Sequence, residues 1–278
     1  HRKELLKMSE ILDKVKGFMK NSVNIDFKFG ESVPCGGSKF GGRPDVPEGF
    51  EWTAYNDMPL SFIAQFDLAE VSPYDKDGLL PKEGILSFFY ELESMQWGFD
   101  PETESCARVF YFPPEAKLSP APFPDELDEE YRLPEARAVM SSKISYPDPN
   151  DLYAVYADEC GLTEEEHDEY FDAYSDISDE LPEQISKLLG NPDLIQDSVL
   201  LECELVSRGI YMGSGSHEIT EEMKKAAKEW VLLFQLDSFD SKDFCLMFGD
   251  VGRIYWYIKK ADLADKRFDK AHLILQCY

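Results

Sequence analysis

Two stretches of the chain are nearly unbroken apolar runs, each interrupted by a single glutamine: PLSFIAQFDL at residues 59–68 and WVLLFQLDS at residues 230–238. Continuous apolar runs of this length read as strands buried on both faces. Each is followed by an aromatic run entered through glycine, GILSFFY at 84–90 and GRIYWYI at 252–258. Each series closes on a further strand, RVFYF at 108–112 and LILQCY at 273–278. The pattern predicts strands over residues 61–67, 85–90, 231–237 and 253–258. Helices are predicted from a different spacing. Leu5, Met8, Leu12, Val15 and Met19 recur at steps of three and four, which marks an amphipathic helix over residues 1–22 rather than a signal peptide. Thr163 with Glu166 three residues on forms a capping box for a helix in the acidic middle of the chain. Thr220 opens another, running to about Glu229.

The strand pattern occurs twice in the same order. Gly42-Arg43-Pro44-Asp45 precedes the first series and Gly190-Asn191-Pro192-Asp193 the second. In both, Asp follows the strand glutamine by two residues: Gln65 and Asp67, Gln235 and Asp237. The expectation is a tandem duplication over about 24–114 and 186–278, since four ordered features are hard to obtain by chance. The expected fold is α+β: two pseudosymmetric repeats of mainly antiparallel strands packed into one compact domain over 23–278. Residues 115–185 are expected as an acidic, partly helical insertion. Within it, the proline-rich stretch 113–149 is expected as an irregular surface excursion.

KFGGRPDVP, PLSFIAQFDL, LPKEGILSFFY, LLGNPDLIQ, WVLLFQLDS and FGDVGRIYWYI together resemble the YwqG-like family of bacterial proteins. The resemblance runs from about Lys39 to the C-terminus; residues 1–38 and most of 115–185 carry no part of it. It implies a mixed α+β fold and a domain of unknown function, and it implies no catalytic residue.

Composition and charge narrow the function classes. The chain of 278 residues carries a formal net charge of -27. Such a surface repels phosphate backbones and anionic membranes, so neither nucleic acid nor membrane is an expected partner. The charge is uneven: residues 121–184 hold 20 acidic and 3 basic residues, or -17 of the -27. No apolar run is long enough to span a membrane. Six cysteines, at 35, 106, 160, 203, 245 and 277, are scattered without a CxxC pair. That spacing points to reduced thiols in a cytoplasmic protein rather than to zinc or a disulfide scaffold.

Candidate chemistry is sparse. CGGSKFGGRPDVP at 35–47 looks like a phosphate cradle, but Lys39 precedes its second glycine pair, and Pro44 and Pro47 forbid an immediate helix. A structural turn is the expected reading. Among the histidines, His167 reads as a surface residue and His272 starts the last strand. His217 ends MGSGSH beside Ser214 and Ser216, without the G-x-S-x-G of a nucleophile elbow. No histidine pair has metal-ligand spacing, no EF-hand loop occurs, and no metal or cofactor is expected. A glutamine inside a buried strand must find partners. Gln65 and Gln235 therefore either bond to a loop such as the GxPD turn, or line a cleft between the repeats. Asp67, Asp237, Asp250 and Lys39 complete the set of cleft candidates. Glu164, Glu165, Asp168 and Glu169 are candidates for an acidic docking face.

Two readings follow. The favoured one is a monomeric, non-enzymatic interaction protein whose acidic face meets a basic protein. The alternative is a small-ligand-binding protein or hydrolase using a cleft between the repeats.

Overall fold

A computed structural model describes residues 2–179, 185–240 and 244–278. Its centre is one ten-stranded sheet. In chain order the strands are β1 (Lys20–Phe29), β2 (Lys39–Phe40), β3 (Ser61–Asp67), β4 (Ile85–Tyr90) and β5 (Ala107–Phe112). Then come β6 (Ala136–Ser145), β7 (Ser186–Leu188), β8 (Trp230–Asp237), β9 (Arg253–Lys259) and β10 (His272–Gln276). They lie side by side in the order β10-β9-β8-β7-β1-β6-β2-β3-β4-β5. Every pairing in this sheet is antiparallel.

The sheet bends at matching places. A register shift falls between Phe62 and Ala64 in β3, and another between Leu232 and Phe234 in β8. One extra residue, Ile63 or Leu233, bulges there and strengthens the local bend. Each bulged carbonyl still accepts a backbone N–H, Ile63 from Gly41 at 2.8 Å and Leu233 from Leu189 at 3.4 Å. The two arms curl toward each other until their rings meet. Phe66 lies 5.1 Å from Phe234, Phe88 lies 5.2 Å from Trp256, and Phe234 stacks on Trp256. The result is nearly closed and barrel-like, with the main core inside.

The loop at 96–99 covers the open edge of β10. Leu275 donates its N–H to the Trp97 carbonyl at 2.9 Å, and Nε2 of His272 bonds the Gly98 carbonyl at 2.9 Å. Burial holds His272 below its ordinary pKa, so the imidazole is neutral and Nε2–H is the donor. Only glycine fits at 98: its φ is +83°, and a Cβ would fall 1.8 Å from the Leu273 carbonyl oxygen.

Helices cover the outer face of β8, β9 and β10. The helices are α1 (Arg2–Val15), α2 (Pro149–Val155), α3 (Glu164–Asp179), α4 (Val199–Ser207) and α5 (Glu221–Ala227); α2, α4 and α5 lie on the strands, and α1 and α3 pack in turn around Leu152 of α2. Val155, Val199, Cys203 and Ala227 pack on Trp230, Leu232, Tyr255 and Ile274. Thus β8 buries both faces, as its unbroken apolar run requires. The outer face of β3, β4 and β5 is covered instead by a short strand, Asp45–Pro47, carrying Val46, and by the chain after it carrying Phe50 and Trp52.

Four expectations need correction. The N-terminal helix does not extend to residue 22: α1 ends at Val15, a 3-10 turn follows to Phe18, and β1 begins at Lys20. Residues 136–145 are not surface excursion but β6, paired along ten residues with β1 at the middle of the sheet. Its sequence ARAVMSSKIS keeps one face partly wet, so it lacks the apolar signal of the other strands. The last strand stops at Gln276, and α5 stops at Ala227. Glu180 and Glu183, counted in the acidic stretch, lie outside the described residues.

Candidate functional site

The strand glutamines sit at the centre of two buried polar clusters. Gln65 Oε1 accepts the Asp45 N–H at 2.9 Å, while its Nε2 donates to the Gly37 carbonyl and to Asp45 Oδ2. Gln235 Oε1 accepts the Asp193 N–H at 2.9 Å, and its Nε2 donates to the Ile185 carbonyl and to Asp193 Oδ2. A buried lysine neutralises each aspartate: Lys39 Nζ is 3.1 Å from Asp45, and Lys187 Nζ is 2.5 Å from Asp193. Lys39 also reaches Glu135 at 3.4 Å. One serine completes each set, Ser38 accepting the Asp67 N–H and Ser186 the Asp237 N–H. The glutamine amides are thus spent on the GxPD turns, the structural arrangement weighed above.

The remaining cleft candidates go separate ways. Asp67 caps the turn at 68–71 by accepting the Ala69 N–H, and burial raises its pKa. Asp237 lies 3.0 Å from the Arg253 guanidinium and accepts the Ile185 N–H; burial again raises its pKa. Asp250 is exposed in the turn before β9. In the MGSGSH loop, Ser214 and Ser216 are exposed and neither is hydrogen-bonded to His217.

The acidic helix is partly spoken for. The capping box closes, Thr163 donating its N–H to Glu166 at 2.8 Å and accepting from the Glu166 N–H at 3.2 Å. Glu165 and Glu169 both hold Lys7 of α1, and Glu166 holds Lys14 at 2.7 Å. Glu164 and Asp168 are exposed and pair with no described residue.

Beside that helix opens a cavity of about 550 Å³. Its walls come from the 96–99 loop, α2, α3, the start of α4 and β10. Trp97, Phe99, Tyr153 and His167 supply aromatic surface, and Asp197 and Glu202 supply carboxylates. Rings continue along the rim, with Phe99 against Tyr211 at 5.6 Å and Tyr153 against His167 at 5.0 Å. Gln276, unremarked in the sequence, fastens this wall: its Oε1 accepts the N–H groups of Ile195 and Gln196, and its Nε2 donates to the Asp197 carbonyl. Glu202 accepts no hydrogen bond from any described residue, and burial together with the Asp197 charge pushes its pKa up to about 7.

A family described as a domain of unknown function (DUF1963) matches residues 38–277. The chain belongs to that family. The DUF1963 match leaves β1 outside, although β1 is central to the sheet. Its description names no activity. No curated protein matches the chain. Among the described residues, no group of three His, Cys, Asp or Glu side chains is placed to hold a metal ion. No helix among them is long and apolar enough to cross a membrane.

Proposed function

We propose that this protein binds a basic protein partner by seating a lysine or arginine side chain in the cavity between the 96–99 loop and helices α2, α3 and α4. The observation that carries this reading is the Glu202 carboxyl, without a partner in an aromatic-walled cavity. A cation over Trp or Tyr faces gains from the ring quadrupole, and more so when partly desolvated. An unpartnered carboxyl supplies the counter-charge, forming a charge-assisted bond that the free protein lacks. Exposed Glu164 and Asp168 on neighbouring α3 add to the field that draws a basic chain in.

The proposal has a pH signature. A cation binds the ionised form of Glu202, whose pKa is raised to about 7. Binding therefore tightens as pH rises from 6 to 8 and weakens with salt, since exposed charges are screened over ~8 Å at physiological ionic strength. The test is titration of tetralysine, with tetraglutamate as the control. The expected result is tetralysine binding that Glu202→Gln weakens by about tenfold and makes insensitive to pH over that range. Equal binding by the wild type and Glu202→Gln would overturn the reading.

We also propose that the scaffold arose by internal duplication, pairing β2, β3, β4 and β5 with β7, β8, β9 and β10. The matched bulges, the two Lys–Asp–Gln clusters and the mirrored strand order support this. The narrower placement in a YwqG-like group rests on the sequence motifs alone.

A further inference from the structure

On the side of the molecule where β1 begins lies a second cavity, of about 590 Å³. Its walls are mostly apolar: Leu79, Val231, Leu232, Leu263 and Ala264. Two lysines, Lys20 and Lys260, face it as well, together with Asp77 and Tyr156. The two ammonium groups outnumber the one carboxylate of its lining.

The charged neighbours of Lys20 are engaged elsewhere. Asp77 Oδ2 accepts the Asn21 N–H at 3.2 Å. Asp151 Oδ1 accepts the Ser198 hydroxyl at 2.6 Å. Lys260 Nζ donates to the Lys228 carbonyl at 2.9 Å and lies 4.0 Å from the Glu229 carboxylate. Lys20 Nζ itself has no hydrogen bond and no ion pair with any described residue. A cation held half-buried against aliphatic side chains, without a partner, is missing its counter-ion. The cavity offers aliphatic surface for the body of such a counter-ion and its size suits a small ligand.

We propose that this cavity binds an aliphatic monocarboxylate, its carboxylate paired with Lys20 and its chain laid against Leu79, Val231 and Leu263. The pairing supplies the three-donor ammonium with an acceptor, while the chain buries apolar surface. Lys260 adds a second positive charge at the same wall. Burial and the Lys260 charge already hold the Lys20 amine below its ordinary pKa, with Asp151 and Asp77 acting the other way. Pairing with a carboxylate raises that pKa again, so uptake is favoured where the amine is charged. Affinity falls as pH rises through the lowered pKa of the free protein.

The experiment titrates the full chain by calorimetry with octanoate, octanol and octylamine, each below its aggregation limit. Octanoate is expected to bind more tightly than octanol, and octylamine least tightly. Lys20→Met should weaken octanoate about 10- to 100-fold, the effect of losing one charge-assisted bond, and leave octanol unchanged. Lys20→Arg should keep octanoate and carry its binding to higher pH. Should Lys20→Met fail to fold, Leu79→Asp decides: a carboxylate at the exposed rim must weaken octanoate while Lys20 stays in place. Octanoate binding no tighter than octanol, or unaffected by Lys20→Met or by Leu79→Asp, overturns the proposal.

Discussion

Gln65 and Gln235 each use three hydrogen bonds inside a fully buried strand, and the partners of those bonds are as buried as the amides. Truncating either to alanine orphans an aspartate N–H and a loop carbonyl, and leaves the aspartate carboxylate one donor short, its lysine still in place. Chemical denaturation should therefore show a loss of roughly 1–3 kcal/mol for Gln65→Ala and a similar loss for Gln235→Ala. These residues were legible in the sequence because one polar side chain in an apolar run has to be satisfied. Glu202 and Gln276 were not. Glu202 sits in VLLECELVS, where helical spacing alone does not separate a cavity wall from a solvent face. Gln276 lies in LILQCY, and its partners are some eighty residues away. The identity of Lys39 as a buried ion-pair partner was equally hidden, since its glycine-rich surroundings suggested a phosphate cradle or a turn. Leu189 marks a further strain: with φ at +60° it adopts a conformation that glycine favours, beside Gly190 at +81°.

At the scale of elements, the edge of β10 is protected by the 96–99 loop, and that protection hangs on one glycine. Gly98→Ala would drive a Cβ into the Leu273 carbonyl, at a conformation already unfavourable for alanine. The loop must lift, with a loss of at least ~2 kcal/mol, combining the backbone strain with the clash. Hydrogen exchange should then accelerate at the Leu275 amide, which donates to Trp97. Unchanged exchange there would show that the loop does not cover the edge as described. The strands with continuous apolar runs were predictable because burial on both faces leaves no ambiguity of period. Strand β6 escaped because it is flanked by prolines and alternates with serine, arginine and lysine. The helix at α3 was announced by its capping box, but its packing was not. Lys7 and Lys14 of α1 turn part of the acidic face inward, so only Glu164 and Asp168 of the four docking candidates stand unpaired.

For the molecule as a whole, buried acids set how stability follows pH. Asp148 is pushed up to about 7 and Asp151 to about 6, mainly by burial, and Glu202 to about 7. A carboxyl whose folded pKa is raised holds a proton that the unfolded chain releases. Its stabilising contribution is fully present below the ordinary carboxylate range, and it is lost as pH rises through 6 to 7. Neutral His272 opposes this, because unfolding lets it take up a proton. Three groups outweigh one, so thermal unfolding should move to lower temperature between pH 5 and 8. Asp151→Asn, whose amide oxygen still accepts from Ser198, should flatten that slope between about pH 4 and 6, where each proton is worth ~1.4 kcal/mol per pH unit. A slope unchanged in Asp151→Asn would assign the dependence elsewhere.

The middle of the sheet also constrains how the chain can be made. Strand β1 has β6 on one side and β7 on the other, and β6 in turn sits against β2. During synthesis β1 leaves the ribosome first, yet its nearer partner begins only at Ala136. At ~5–20 residues per second, β1 waits roughly 5 to 20 seconds with both edges bare. From Ser22 to Phe29 it alternates Ser, Asn, Asp and Lys with Val, Ile and Phe, which suits that interval, since charged side chains discourage stray pairing between nascent chains. A chain released before residue 136 would keep those edges open, with no strand of its own yet made to cover them.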